Sequence, residues 1–193
     1  MMGVLHCATY ERALLLRSAL EQRFSECGLT LHPTKTRIVY CKQAGRNAGY
    51  PDVTFDFLGY TFRPRGVKNA RGEIFVGFTP AVSNKAAKAI RREIRSWGIP
   101  RRTDKKIDDL ARIFNAKVRG WANYYGAFTR SVLCEVLKHL DRKLVLWVTR
   151  KYKKFRGHRA RAREWLRNVK RQHPNLFAHW EFLPVRAGIG GAG

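Results

Sequence analysis

Residues 103–121 read Thr-Asp-Lys-Lys-Ile-Asp-Asp-Leu-Ala-Arg-Ile-Phe-Asn-Ala-Lys-Val-Arg-Gly-Trp, and this stretch indicates an amphipathic helix. Its large apolar residues recur three or four positions apart, which places them in one stripe along a helix. They are Ile107, Leu110, Phe114, Val118 and Trp121. Thr103 is the predicted N-cap, and the aspartates after it favour the positive end of the helix macrodipole. The stretch therefore predicts a helix with one face in a core.

Three more helices of this kind are predicted around it. Ser83 is expected to cap a helix that Pro100 breaks, a longer helix starts at about Thr129, and a last helix follows a basic run. Their stripes are Ala86 or Ala87 with Ile90, Ile94 and Trp97; Leu133, Val136, Leu137, Leu140, Leu144 and Trp147; and Ala162, Trp165, Leu166 and Val169. Four amphipathic helices are enough to close a bundle.

The first part of the chain predicts one helix and several strands. The helix carries apolar residues at helical spacing and ends at Gly28; they are Ala13, Leu16, Leu20, Phe24 and Cys27. Short strands are expected at 29–32 and 37–41, around a turn at 33–36. A further strand is indicated by the alternation of Val53, Phe55 and Phe57, and a hairpin by 60–62 and 73–78 around residues 68–72.

The predicted fold class is therefore α+β: a small antiparallel sheet with one helix, followed by an α-helical bundle. We place the sheet-containing domain at residues 1–82, the helical domain at 83–183 and a flexible tail at 184–193.

Positive charge is the dominant feature of the composition. The 193 residues include 39 Lys or Arg and 14 Asp or Glu, a net charge of +25. Residues 1–84 hold 11 basic and 6 acidic residues, whereas residues 85–172 hold 27 and 7. Arginine predominates, and a guanidinium matches two phosphate oxygens. This favours a nucleic-acid partner. An acidic membrane surface is the weaker rival, because no helix combines a basic face with a broad apolar one.

A membrane span, a secretory leader and a metal site all lack support. The longest uncharged run, 74–84, is about half of a membrane span, and the start lacks a signal-peptide pattern. We expect a cytoplasmic, RNA-associated protein.

The four cysteines form no C-x-x-C pair, and His173 and His179 do not have zinc-finger spacing, so reduced core cysteines are favoured over a metal. No cofactor is expected in this chain.

Several motifs resemble a known family. The blocks Asn-Ala-Lys-Val-Arg (115–119) and Gly-Trp-Ala-Asn-Tyr-Tyr (120–125) resemble the maturase-specific thumb domain of group II intron reverse transcriptases. Residues 28–36 and 55–60 resemble the last two blocks of the reverse-transcriptase palm. The block Leu-Phe-Ala-His-Trp (176–180) is similar to the C-terminus of bacterial members without an appended endonuclease.

This resemblance implies the end of a palm followed by a thumb, or maturase, domain. The intact family copies intron RNA into DNA and binds the intron to assist its splicing. The implied partners are group II intron RNA, an RNA/DNA template–primer and the missing N-terminal reverse-transcriptase half. Lys35 lies in the block that, in the intact enzyme, sits beside the phosphates of the incoming nucleotide.

One departure from the family concerns catalysis. In the family, a Tyr-Ala-Asp-Asp hairpin that binds Mg²⁺ precedes a segment like Gly3-Val4-Leu5-His6-Cys7. Here Met1 and Met2 stand in place of those aspartates, and a thioether is no magnesium ligand. We therefore expect no polymerase activity from this chain alone. One half of a split polymerase and a generic basic nucleic-acid-binding module stay open as alternatives.

The predicted RNA-binding residues follow the basic clusters. Residues 150–171 contain eleven Lys or Arg and one acid, Glu164, a density that favours a polyanionic partner over a solvated face. The full set is Arg91, Arg92, Arg95, Arg101, Arg102, Lys105, Lys106, Arg119, Arg150, Lys151, Lys153, Lys154, Arg156, Arg159, Arg161, Arg163, Arg167, Lys170 and Arg171. Trp121 is expected in the core, whereas core packing and base stacking are equally expected for Tyr124 and Tyr125.

Overall fold

The fold is α+β, and the helices and the strands from residue 55 onward follow the predicted order. The structure, a computed structural model, describes residues 3–43, 45 and 49–182. Over these residues the elements are α1 (Tyr10–Glu26), β1 (Phe55–Phe57), β2 (Tyr60–Lys68), β3 (Ile74–Val82), α2 (Asn84–Ser96), α3 (Ile107–Tyr125), α4 (Arg130–Lys151) and α5 (Arg159–Gln172), with 3-10 turns at Ile99–Arg101, Lys153–Phe155 and Ala178–Trp180. Met1, Met2 and the predicted tail at 184–193 lie outside the described residues.

Helix α4 is the centre of the bundle. It contacts α2, α3, α5 and β3. The six residues of its predicted stripe are each at most 1% exposed: Leu133, Val136, Leu137, Leu140, Leu144 and Trp147. The stripes of α2 and α3 pack against it, with Ile94, Leu110 and Val118 fully buried. The predicted helical bundle is confirmed.

The starts of α2 and α3 show one correct and one wrong prediction. Ser83 caps α2, because its Oγ accepts a hydrogen bond from the Ala86 N–H at 3.1 Å. Thr103 does not cap α3, which begins four residues later at Ile107. The Nζ of Lys151 donates to the carbonyls of Thr103 and Lys105, at 2.8 and 2.7 Å. These contacts from α4 hold residues 103–105 outside the helix.

The sheet is a three-stranded antiparallel meander in the order β1-β2-β3. The predicted hairpin is confirmed, although its strands are longer than expected and run through Pro64 and Pro80. Its turn is held by the side-chain oxygen of Asn69, which accepts from the N–H groups of Arg71 and Glu73.

The strands predicted at 29–32 and 37–41 do not form. The turn between them exists, since the N–H groups of Lys35 and Thr36 donate to the His32 carbonyl at 3.2 and 2.9 Å. One backbone bond, from the Tyr40 N–H to the Asp52 carbonyl, joins the second stretch to the segment before β1. A single bond is not a ladder, so the extended stretch is not a strand.

Helix α1 forms as predicted but lies at the surface. The Thr9 Oγ1 caps its start, and Cys27 and Gly28 follow its end. None of its residues is buried. Of its predicted stripe, Ala13, Leu16, Leu20 and Phe24 are only half-buried and Cys27, the C-cap, is exposed. The adjacent Leu15 is 72% exposed.

One end of the sheet is fixed to the bundle near the α3–α4 connection. The Tyr60 hydroxyl donates to the Tyr124 carbonyl, and the Tyr124 hydroxyl donates to the Leu58 carbonyl at 2.8 Å. The Thr129 hydroxyl also donates to the Pro80 carbonyl, at 2.8 Å. These bonds hold the sheet end against the bundle at the start of α4.

The three aromatic residues singled out by the sequence have different environments. Trp121 packs against the core, with its ring stacked 5.5 Å from that of Trp97, as the core prediction required. Tyr125 is half-buried against Tyr60, and Tyr124 is 48% exposed.

Among the described helices, none has both the length and the apolar character that crossing a bilayer requires.

Candidate nucleic-acid interface

Two adjoining clefts lie where α4, the turn after α2 and the start of α5 meet. The first, of about 450 Å³, is lined by Arg95, Ser96, Gly98, Pro100, Arg101, Lys143, Leu146 and Arg150. The second, of about 350 Å³, is lined by Leu146, Thr149, Arg150, Arg156, Gly157 and Arg159. Because Leu146 and Arg150 line both, we treat the two as one channel, called the basic cleft below. Six of its lining residues are Arg or Lys, and none of the described lining residues is acidic.

The basic cleft depends on two sharp turns of the chain. Gly98 after α2 and Gly157 before α5 have φ values of +61° and +77°, a region that glycine adopts without steric cost. The first turn places Arg101 beside α4, where the Arg150 guanidinium donates to the Pro100 carbonyl at 3.5 Å. The second places Arg156 and Arg159 at the other end of the cleft.

The cleft includes one basic residue that the sequence prediction missed. Lys143 lies on α4, three residues before Leu146 and seven before Arg150. Residues at this spacing share a helix face, so the helical periodicity of α4 could have identified it. Lys143 belongs to no dense basic run, so composition alone does not single it out.

Some predicted RNA-binding residues are held by contacts within the protein. The Arg102 Nε donates to the Trp97 carbonyl at 2.9 Å, and its guanidinium lies 5.6 Å from the centre of the Phe114 ring. The Lys151 ammonium holds the 103–105 loop through two carbonyls. Both cations therefore stabilise the turn between α2 and α3.

Lys170, another predicted RNA-binding residue, is also partly buried within the protein. It is half-buried, and its Nζ lies 6.0 Å from the centre of the Trp180 ring. Burial lowers the pKa of Lys170, and the nearby Asp141 opposes part of that effect. The physical reason is its position at the edge of the apolar stripe of α5, four residues after the buried Leu166.

The outer face of α5 is exposed and strongly basic. Arg161, Arg163, Arg167 and Arg171 are all exposed there. Glu164 forms ion pairs with Arg167 at 2.8 Å and Arg171 at 3.3 Å, which neutralise part of the charge. This face is separate from the residues that line the basic cleft.

The other predicted residues lie outside the cleft lining. Arg92, Lys106, Arg119, Lys153 and Lys154 are exposed, whereas Arg91 and Lys105 are half-buried. Lys105 pairs with Asp104 at 3.1 Å, and the Lys154 Nζ lies 5.1 Å from the Phe155 ring centre. Lys35 is exposed in the turn after α1. The structure therefore gathers only part of the predicted set into one concave surface.

A histidine, His139, lies on α4 four residues before Lys143 of the cleft lining. The Nε2 atom of His139 is buried and has no hydrogen-bond partner among the described residues. Burial lowers the pKa of His139, and the charges of Lys143, Arg95, Arg142 and Arg91 lower it further. The neutral imidazole is therefore favoured in the free protein.

Hydrogen bonds from two helices, α4 and α3, hold residues 176–180 against the bundle. The His179 Nε2 lies 2.8 Å from Oδ1 of Asp141 on α4, and the Trp180 indole N–H donates to the same oxygen at 2.9 Å. Burial alone would raise the pKa of Asp141, but the bonds from His179 and Trp180 outweigh it and lower the pKa. On the other side, the buried Asn115 side chain bonds to the backbone of Leu176 and Ala178. The sequence blocks around residues 115 and 176 thus meet in the fold.

No metal centre is apparent in the described part of the chain, which holds no group of three or more His, Cys, Asp or Glu side chains placed to bind an ion. The chemistry that the site offers is electrostatic. Guanidinium and ammonium groups that line a concave channel suit phosphate oxygens.

Comparison with known proteins gives a match over the helical part of the chain. A family model, that of the group II intron, maturase-specific domain, matches residues 87–165. The matched segment runs from α2 into α5 and contains all six basic residues of the cleft. Neither the curated proteins nor the solved structures gave a match to the chain.

Proposed function

We propose that the basic cleft binds group II intron RNA and assists its splicing, because residues 87–165 match the family model of the group II intron, maturase-specific domain. The observation that carries the proposal is the shared lining of the two adjoining clefts: six cationic side chains from three separate segments line them, without a described carboxylate. Phosphate contacts dominate the affinity of proteins for nucleic acids.

Assistance of this kind requires no protein nucleophile. The intron RNA supplies the reacting groups, and the protein acts by binding the active RNA fold more tightly than its alternatives. A-form RNA has a major groove too narrow for most side chains, so recognition through phosphates and shape is expected. Arginines at fixed positions on α2, α4 and α5 suit that task, because each guanidinium can hold two phosphate oxygens.

A first test measures affinity against salt and competitor. If the six cations of the cleft each neutralise one phosphate, the affinity for intron RNA should fall by roughly three decades between 50 and 200 mM salt. Intron RNA should compete better than an unrelated structured RNA of equal length, and the protein should raise the splicing rate at limiting magnesium. Equal competition by both RNAs would favour the generic basic module, which the high charge of the bundle also supports.

A second test locates the interface with matched charge reversals. The cleft variant is Arg101→Glu, Arg156→Glu and Arg159→Glu; all three residues are exposed. The control is Arg12→Glu, Arg17→Glu and Arg23→Glu on α1, with the same change in net charge. The cleft variant should reduce the salt slope by about three, one per lost contact, and the control should leave it nearly unchanged. Equal losses would mean that only net charge matters.

A third variant separates the cleft from the outer face of α5. Arg161→Glu, Arg163→Glu and Arg167→Glu change the same net charge on the same helix while leaving the cleft lining intact. We expect a smaller loss of affinity than from the cleft variant. A larger loss would move the interface to the outer face of α5.

The RNA/DNA template–primer is proposed as a second ligand of the same cleft. An RNA–DNA hybrid should then compete with intron RNA for the cleft.

A further inference from the structure

His139 lies on α4, the helix that supplies Lys143 and Arg150 to the basic cleft. His139 precedes Arg142 and Lys143 by one turn of α4, so the three share one side of that helix. Arg91 and Arg95 are one turn apart on α2, the helix packed against it. Lys143 and Arg95 also line the cleft. His139 therefore lies on the same side of α4 as Lys143, a residue of the cleft lining.

Four positively charged groups lower the pKa of His139. Arg91 and Arg95 do so from α2, and Arg142 and Lys143 do so from α4. Glu135, one turn earlier on α4, forms an ion pair with Lys138. A proton on His139 would add a fifth positive charge to this group. Its Nε2 also lacks a hydrogen-bond partner within the described residues.

We propose that an RNA phosphate bound at Arg95 and Lys143 causes His139 to take up a proton from solvent, so that the protein holds RNA more tightly as the pH falls. This inference rests on the proposed function. The phosphate brings a negative charge to Arg95 and Lys143, two of the cations that lower the pKa of His139, and offsets their repulsion of the proton. No bond other than the new N–H bond changes.

The direction of the effect follows from linkage. If the bound state holds more protons than the free state, affinity rises as the pH falls between the two pKa values of His139. One proton gives at most a tenfold change in affinity per pH unit. The pKa of His139 in the free protein is depressed, so the gain should appear at and below the ordinary histidine pKa of about 6.5.

The first measurement is the dissociation constant for intron RNA between pH 5.5 and 7.5 at constant ionic strength. The unmodified protein should gain up to about tenfold more affinity per pH unit than His139→Gln. His158→Gln and His173→Gln, at exposed positions flanking α5, should keep that extra gain. Parallel pH profiles for the unmodified protein and His139→Gln would overturn the inference and leave the proposed function standing.

The second measurement needs no RNA. Sulfate, whose charge is constant over this pH range, should raise the pKa of the His139 ring when followed by NMR. Arg95→Gln should raise that pKa without sulfate and weaken the response to it. The inference would be overturned if neither sulfate nor Arg95→Gln changed the pKa of the His139 ring. A clear sulfate response in a protein that binds no intron RNA would instead overturn the proposed function and leave the anion–proton coupling intact.

Discussion

Helices α1 and α4 both carry a regular apolar stripe, but only α4 buries it. Eight residues of α4 are buried, whereas α1 has none. The two helices differ in their neighbours. Helix α4 contacts α2, α3, α5 and β3, whereas Leu14 and Leu15 of α1 are 42% and 72% exposed. An apolar stripe thus predicts a helix, and only packed neighbours decide whether that helix contributes to a core.

The sheet shows the same contrast within one pair of strands. At the end fixed to the bundle, Tyr60 and Val82 are 7% and 4% exposed. At the hairpin end, Ile74 is 72% exposed. Burial supplies most of the stabilising free energy of a fold, at about 25 cal/mol per Å² of apolar surface. Stability in this chain should therefore be concentrated in the bundle and fall away toward the hairpin and α1.

Hydrogen exchange should show the largest difference between the two regions. Local opening costs little where few apolar groups are buried, and approaches the global unfolding free energy in the core. Amides of 14–24 in α1 should therefore exchange about three orders of magnitude faster than those of 107–118 in α3, after correction for intrinsic rates. Amides of 53–57 should also be fast. Equal protection in α1 and α3 would show that the first region is as stable as the bundle.

The same substitution in each helix should give the next largest contrast. Leu140 of α4 is fully buried, so Leu140→Ala should lower the free energy of unfolding by about 2–5 kcal/mol. Leu16 of α1 is half-buried, and Leu16→Ala should cost less than about 1 kcal/mol. Denaturant titration of both variants measures this. A large loss from Leu16→Ala would mean that α1 is part of the cooperative core.

Local sequence was informative where local interactions decide the structure. The stripes located α2, α4 and α5, and Ser83 was identified as a cap because a Ser Oγ reaches a backbone N–H three residues ahead. Thr103 has the same chemistry and caps no helix, because Lys151 of α4 bonds to the loop that contains it. That contact joins residues 48 positions apart, so the sequence around Thr103 does not indicate it.

The candidate site was predictable only in part for the same reason. The basic clusters were visible as composition, but the cleft joins Arg95, Lys143 and Arg159 from three helices. Periodicity gives the face of each helix, whereas the angle between helices depends on the whole packed core. Composition also could not separate Lys151, which holds a loop, from exposed cations that are available to a ligand.

Two carboxylates extend the comparison to electrostatics. Asp141 accepts bonds from His179 and Trp180 in the bundle, and Asp141→Asn should cost about 1.5–3 kcal/mol at pH 7. Asp52 pairs with Arg37 at 3.5 Å with both side chains nearly half exposed, and Asp52→Asn should cost about 0–1 kcal/mol. Urea unfolding of both variants checks this; a larger loss from Asp52→Asn would reverse the comparison.

The pH dependence at Asp141 has a definite sign. Folding lowers the pKa of Asp141. The ionised carboxylate therefore makes its full contribution to the free energy of unfolding above the ordinary Asp pKa of about 3.9, and this contribution is lost as the pH falls below that value. The difference between the unmodified protein and Asp141→Asn should therefore be constant from pH 7 to about 5 and then shrink on acidification. A difference that grows at low pH would mean that the protonated carboxyl is the stabilising form.

The two helix caps give the smallest effect and the sharpest test. Ser83 caps α2 through a buried bond of 3.1 Å, and Thr9 caps α1 through an exposed bond of 3.3 Å. Ser83→Ala should lower the global free energy of unfolding by about 1 kcal/mol. If α1 opens before the bundle unfolds, Thr9→Ala changes only the local equilibrium of α1. Denaturant titration should then show no loss for Thr9→Ala, while hydrogen exchange in α1 becomes faster. A loss of about 1 kcal/mol in global unfolding from Thr9→Ala would mean that α1 and the bundle unfold together, and the contrast between the two regions would be one of exposure alone.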